Sequence, residues 1–253
     1  IFAILAMSVW ASFVTRWPYN LSLTLKNYNF GDFGSNGWSA YTNSIQLATW
    51  TAVIGTVIIF VGAYLLEKTR SFAMGRAIAQ FMAMLPMAVP GLVLGLAYIF
   101  FFNAKGNPLG FIYATMAILV VNSITHFYTV SHLTATTALK QLDHEFEAVS
   151  ASLKVSLLRT MTRVSVPVCL PAVLDISIYL FVNAMTTVSA VIFLYSTETS
   201  LASVTIINMD EGGFTAVAAA MAVTIVVTSA AVKIAHLFIT RRLQRRTQAW
   251  RQR

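Results

Sequence analysis

The chain has 253 residues, of which 57% are hydrophobic and only 10% charged, with a formal net charge of +8. A soluble domain carries about a quarter charged residues, so a water-soluble globular protein is excluded and the chain belongs in a bilayer. Lipid offers no partner to an open backbone, so the fold class is all-α, a polytopic helical bundle.

The apolar run 1–14 is short for a span, which takes about 20 residues. It lacks the basic start and small-residue cleavage site of a signal peptide. It is expected to be the outer end of a truncated first helix, in a fragment or in one half of a longer polypeptide. Segment 17–43 is rich in Trp, Tyr, Asn and Gly and is expected to form an ordered interfacial loop with room for a short helix. Five longer apolar stretches follow, at about 45–66, 77–102, 111–130, 170–195 and 214–239, each long enough to span. The sum is about six transmembrane helices in one domain over 1–253. The stretch 77–102 holds Pro86, Pro90, Gly91 and Gly95. They either kink a buried helix or leave a hinge or unwound backbone beside a cavity.

Loop charges set the orientation. Lys68, Arg70, Arg76, Lys140, Lys154, Arg159, Arg163, Arg241, Arg242, Arg245, Arg246, Arg251 and Arg253 lie on one side, against Arg16, Lys26 and Lys105 on the other. That bias predicts a cytoplasmic loop at about 132–168 and a basic cytoplasmic tail at 240–253. The tail reads as a stop signal and a contact for lipid head groups. No aromatic–basic interleaving of a nucleic-acid binder accompanies it.

The charged loop carries an apolar stripe, Leu142, Phe146, Val149, Leu153 and Leu157, at helical spacing. Asp143, Glu145, Glu147, Lys154 and Arg159 flank it. An amphipathic helix held at a membrane face must pack on something, either a partner protein or the lipid surface. The loop's acids and bases nearly balance, whereas lipid-seeking helices are strongly basic; a partner is therefore expected.

Sequence signs of catalysis are missing. There is no GxxxxGK[ST] phosphate loop, no GxSxG elbow and no HExxH pair. Cys169 stands alone, which excludes an internal disulfide and a CxxC metal pair. It reads as a small core residue. His126 and His132 are six apart, not at one-face metal spacing, and His144 lies in the loop facing solvent or a partner. Asp175, one turn into its stretch, is either a carboxylate satisfied at a helix N-terminus or a contact to the loop or a gate. Asn183, Thr186, Thr187 and Ser189 put polar groups near the middle of a span. The first three are expected on one face, where they either bond a neighbouring helix or line a polar path for a solute.

The loop resembles the EAA motif of permease subunits of type I ABC importers: Glu-Ala-Ala, three residues, Gly, about nine residues, an aliphatic pair and Pro. Glu147-Ala148-Val149 matches its start and Val164-Ser165-Val166-Pro167 its end, with spacing one residue longer than usual. Measured back from Pro167, the motif Gly falls on Lys154. The lead-in Asn43-Ser44-Ile45-Gln46-Leu47-Ala48 and the span end Ala63-Tyr64-Leu65-Leu66 are also similar to this family. The stretches 167–175, 181–195 and 207–210 are similar to permeases for 2-aminoethylphosphonate, near the ferric-iron and spermidine/putrescine branch.

The resemblance implies a permease of the bacterial inner membrane without catalytic activity of its own. It also implies ABC ATPase subunits that bind ATP and Mg and grip the loop through Leu142, Asp143, Glu145, Phe146, Glu147, Ala148, Val149, Leu153, Lys154 and Leu157. A second permease half (identical, related or fused) and a solute-binding protein complete the implied assembly. The implied cargo is 2-aminoethylphosphonate, with ferric iron or a polyamine as alternatives. An ion-gradient-driven secondary transporter is the reading from another class. It would want a midplane ionisable pair or paired broken helices.

Overall fold

The computed structural model describes residues 2–33, 37–69, 72–143 and 145–247. It is about three-quarters helix, as the composition requires. Arg70, His144, Arg251 and Arg253, for which roles are expected above, lie outside the described residues, as do the side chains of Glu147, Arg245 and Arg246.

In chain order the elements are α1 (Phe2–Ser12), β1 (Val14–Arg16), β2 (Asn20–Leu23), α2 (Gly37–Lys68), α3 (Ala73–Ala88) and α4 (Gly91–Phe102). They continue with α5 (Met116–His126), α6 (Tyr128–Lys140), α7 (Glu145–Ser152), α8 (Leu157–Thr160) and α9 (Val166–Val168). The last are α10 (Leu170–Thr186), α11 (Ala202–Glu211) and α12 (Thr215–Thr247). Helices α2 and α12 are long and apolar enough to cross a membrane by themselves. Two broken pairs, α3 with α4 and 157–168 with α10, reach the same length together. Shorter apolar helices α1 and α5 fall in the remaining expected spans.

Three expected continuous spans are interrupted, the first of them for a local reason. The stretch 77–102 breaks at Val89, which is extended (φ −99°, ψ 121°) because Pro90 bars the helical conformation from the residue before it. The stretch 111–130 begins its helix only at Met116 and breaks again at Phe127. The stretch 170–195 ends its helix at Thr186, and 187–201 is irregular. Segment 17–43 supplies the second strand of a two-stranded antiparallel hairpin with Val14–Arg16, two 3-10 turns, and from Gly37 the start of α2. Buried Asn27 pins it by donating to the Ser12 and Val14 carbonyls at 2.9 and 2.7 Å.

The chain divides into two compact units, 1–49 with 91–123 and 182–232, and 50–90 with 124–181 and 233–253. In the first, the irregular segment after α10 is held by side chains from other elements. Asn122 Nδ2 donates to the buried Ala190 carbonyl at 2.6 Å. Gly95 lets α4 approach that same carbonyl: a Cβ there would stand 2.9 Å from the oxygen. Asn43 Nδ2 donates to the Glu198 and Ser200 carbonyls. The Ser44 hydroxyl accepts from the Ala202 amide at 2.8 Å. Leu201, the N-cap of α11, makes no side-chain cap bond, so a serine on α2 does that work from a distance in sequence of 158 residues. Ser203 donates to the Thr187 carbonyl at 2.6 Å.

In the second unit, α3 and α6 pack together. Thr129 Oγ1 donates to the Ala83 carbonyl at 2.8 Å, and His132 Nε2 lies 3.4 Å from Gln80 Oε1. Fully buried Leu139, Ile176 and Leu180 contribute to the core of this unit.

Two substitutions test the polar supports. Ser44→Ala removes a cap and is expected to lower unfolding free energy by about 1 kcal/mol. Asn122→Leu strands a buried carbonyl and is expected to cost about 1–3 kcal/mol. Thermal unfolding of the detergent-purified protein checks both; an unchanged midpoint in Asn122→Leu contradicts this account of the irregular segment.

Candidate functional site

The loop between α6 and α10 is built from turn chemistry upward. Helix α6 ends at Lys140, and Gln141 and Leu142 turn back on it with their amides. Leu142 is buried (8% exposed). Asp143 Oδ1 then accepts from the Glu145 amide at 3.1 Å, satisfying one of the orphan donors at the start of α7.

Helix α7 stops at Ser152. The Val155 amide reaches back to the Ser150 carbonyl at 2.9 Å, and Lys154 between them is left-handed with φ 52°. A long back-bond closed around a left-handed residue is the Schellman helix stop, where glycine is the favoured residue. Lys154 is also where the motif's Gly falls. The motif glycine therefore has a physical meaning in this chain: it ends the loop helix. Here a lysine bears the strain.

Ser156 is extended and opens α8. The helix widens to π geometry over Met161–Ser165, just ahead of Pro167, whose ring crowds the carbonyl four residues back. Pro171 repeats the conflict, and the axis bends by 80° between Val168 and Leu170.

This corrects the expectation of one continuous amphipathic helix through 142–157. Leu142 belongs to the core. Phe146, Val149, Leu153 and Leu157 are exposed, Leu153 at 71%, and Leu158, which the stripe omitted, is exposed beside them. Ala148, Asp143, Glu145, Lys154 and Arg159 are exposed as well. Apolar side chains are thus offered by α7 and α8 on either side of the Lys154 elbow.

Two side chains of α2 hold the loop. Tyr64 Oη donates to the Leu157 carbonyl at 3.3 Å, and Lys68 Nζ donates to the Leu139 carbonyl at 3.2 Å. Tyr64 and Lys68 are four apart, so they share a face of α2. One face of one helix therefore grips the chain on both sides of the loop. The sequence reading missed this role. It counted Lys68 as a topology charge and Tyr64 as part of a span end; a polar head four residues before a basic one at the end of an apolar run is the available signal.

Asp175 lies in the second turn of α10, beyond its first turn. Its Oδ1 is 3.4 Å from Nε2 of buried His236 on α12, which also meets the Thr240 hydroxyl at 3.3 Å. The carboxylate is therefore a helix–helix link rather than a helix cap.

Of the expected solute-path residues, Asn183 and Thr186 lie three apart on α10, while Thr187 and Ser189 fall beyond its end. Asn183 is half-buried and Thr186 exposed on α10, with the Thr186 hydroxyl donating to its own helix at Val182. Thr187 is buried beyond the helix end, and Ser189 is exposed in the irregular segment. Among the described residues no three His, Cys, Asp or Glu side chains converge as a metal site.

A family model described as "Binding-protein-dependent transport system inner membrane component" matches residues 58–245. The chain belongs to this family. Over 234 residues it is 33% identical to the ferric transport system permease protein FbpB of Actinobacillus pleuropneumoniae, covering 91% of this chain and 33% of that protein. The chain spans about a third of the length of such relatives.

Its fold is similar to that of a chain in the crystal structure of a bacterial ABC transporter involved in the import of the acidic polysaccharide alginate. The TM-score is 0.78 at 14% identity, over 96% of this chain and 90% of that one. A chain of the inward-facing MetNI methionine ABC transporter matches with TM-score 0.66 at 14% identity, over 81% of this chain and 95% of that one. The fold is that of a type I ABC importer permease, near the ferric-iron branch. The family it belongs to is one of inner-membrane components of transport systems.

The Lys154 geometry gives a signed prediction. Lys154→Gly removes left-handed strain and is expected to raise stability by about 0.5–1 kcal/mol, while Lys154→Val is expected to lower it by more. Thermal unfolding and the rate of proteolytic nicking at 150–156 read the difference; the reverse order contradicts the helix-stop geometry.

Proposed function

We propose that the chain is a permease half of an ATP-driven importer whose 142–158 loop is the cytoplasmic handle for a separate ATPase subunit. The observation that carries this is the exposed apolar set Phe146, Val149, Leu153, Leu157 and Leu158 on the loop. Burying three such side chains contributes about 5 kcal/mol before association costs. Asp143, Glu145, Lys154 and Arg159 would orient the partner from the rim. ATP and Mg are bound and turned over in that partner, which drives the loop and, through it, the spans. The basic bias of the loop and of the 240–253 tail supports a cytoplasmic placement for both.

A second permease half, identical, related or fused, faces this one, and an external solute-binding protein delivers the cargo. The cargo reading drawn from the named relatives is ferric iron, since the ferric transport permease named above aligns over most of the chain. A second reading, 2-aminoethylphosphonate, rests on the resemblance of 167–175, 181–195 and 207–210. Asn183, Thr186, Thr187 and Ser189 remain the proposed polar path in either case, now as a helix end with an irregular continuation. The ion-gradient alternative is set aside because the chain belongs to a binding-protein-dependent family.

Docking is tested by Phe146→Asp with Leu153→Asp in the assembled transporter. The expected outcome is loss of ATPase co-purification and at least about tenfold slower uptake, as about 1.4 kcal/mol per decade implies. Because both side chains are exposed, the thermal midpoint of the permease should hold. Retained ATPase binding would reject the handle. The cargo is decided by titrating the companion binding protein with ferric iron and with 2-aminoethylphosphonate; tight binding of one and not the other selects the reading.

A further inference from the structure

The second unit contains a cleft of about 480 Å³ that the transport reading does not use. Its walls are the end of α2 (Leu66, Glu67), one stripe of α3 (Ala73, Arg76, Ala77, Gln80) and one stripe of α6 (Leu133, Thr136, Thr137, Lys140). The α3 residues recur at three and four, so Arg76 and Gln80 stack on one face. Among the described residues neither Arg76 nor Lys140 makes an ion pair. Arg76 spends one donor, Nε, on the Leu66 carbonyl at 2.9 Å. Its other donors and the Lys140 ammonium are matched by a single carboxylate, Glu67, in the wall.

Two cations with the Thr137 hydroxyl and the Gln80 amide beside them suit a phosphate. A lone carboxylate in the same wall suits an amine, and would repel a head group that is only anionic. Apolar side chains adjoin on the same two helices: Phe81, one turn beyond Ala77 on α3, and Val130 and Leu133 on α6 are exposed. Polar head and greasy tail are thus served within a few turns.

We propose that this cleft is a binding site for a phospholipid whose head group carries both a phosphate and a free primary amine, that is, phosphatidylethanolamine. Arg76 and Lys140 hold the phosphate, Glu67 takes the ammonium, and the acyl chains follow the exposed faces of α3 and α6. The site is independent of ATPase docking and of the cargo.

The test is native mass spectrometry of the purified transporter exchanged into phosphatidylethanolamine, phosphatidylglycerol or phosphatidylcholine. The wild type is expected to retain phosphatidylethanolamine about tenfold better than phosphatidylcholine, whose quaternary amine donates no hydrogen bond to Glu67. Lys140→Gln, alone and with Arg76→Gln, is expected to reduce retention of every phospholipid. Glu67→Gln is expected to abolish the preference for phosphatidylethanolamine over phosphatidylglycerol while leaving total retention in place. Because Arg76 also supports α2, Lys140→Gln and Glu67→Gln carry the test if the double variant does not fold. Unchanged lipid retention in Lys140→Gln, or an intact preference in Glu67→Gln, overturns the site. Release of the lipid by millimolar free phosphoethanolamine, with no effect of inorganic phosphate, would reassign the cleft to a soluble ligand and overturn the lipid assignment.

Discussion

A lipid solvent cannot hydrogen-bond an open backbone, and every interruption of a helix in this chain carries that cost. The structure meets it with side chains sent from elsewhere. Asn122 serves the Ala190 carbonyl, Asn43 serves Glu198 and Ser200, and Ser44 serves the Ala202 amide. Thr129 reaches Ala83, Tyr64 reaches Leu157, and Ser203 reaches Thr187. These polar residues stand inside or at the ends of apolar stretches, where their burial would otherwise be a loss. They make irregular backbone affordable in a hydrocarbon setting, and irregular backbone is where a transporter can bend or open.

The basic residues have a second use in the same scheme. Lys68 and Arg76 count toward the charge bias from which the orientation is proposed, and each also closes the C-terminal end of a helix, at Leu139 and at Leu66. Positive side chains at the negative end of a helix are favoured there. Topology and helix termination are therefore served by the same atoms.

Much of this was legible in the sequence. Composition required helix, the charge asymmetry isolated the loop, and the proline–glycine cluster marked the break at Val89 before Pro90. The EAA-like match gave the family and a position for the motif glycine, which the left-handed Lys154 makes physical. Other features were not legible. A helical stripe in sequence does not reveal that Leu142 turns inward, because the Asp143 cap starts α7 after it. The end of α10 at Thr186 is not forced by any local breaker; it depends on Asn122 and Ser203, which lie far away in sequence. The polar residues that decide such ends look alike before folding.

Tyr64 and Lys68 lie one turn apart on α2 and fasten the chain on both sides of the loop. A tug on the exposed leucines cannot pay out slack from either end. Under the proposed docking, a pull on the loop would reach the end of α2 at two points one turn apart.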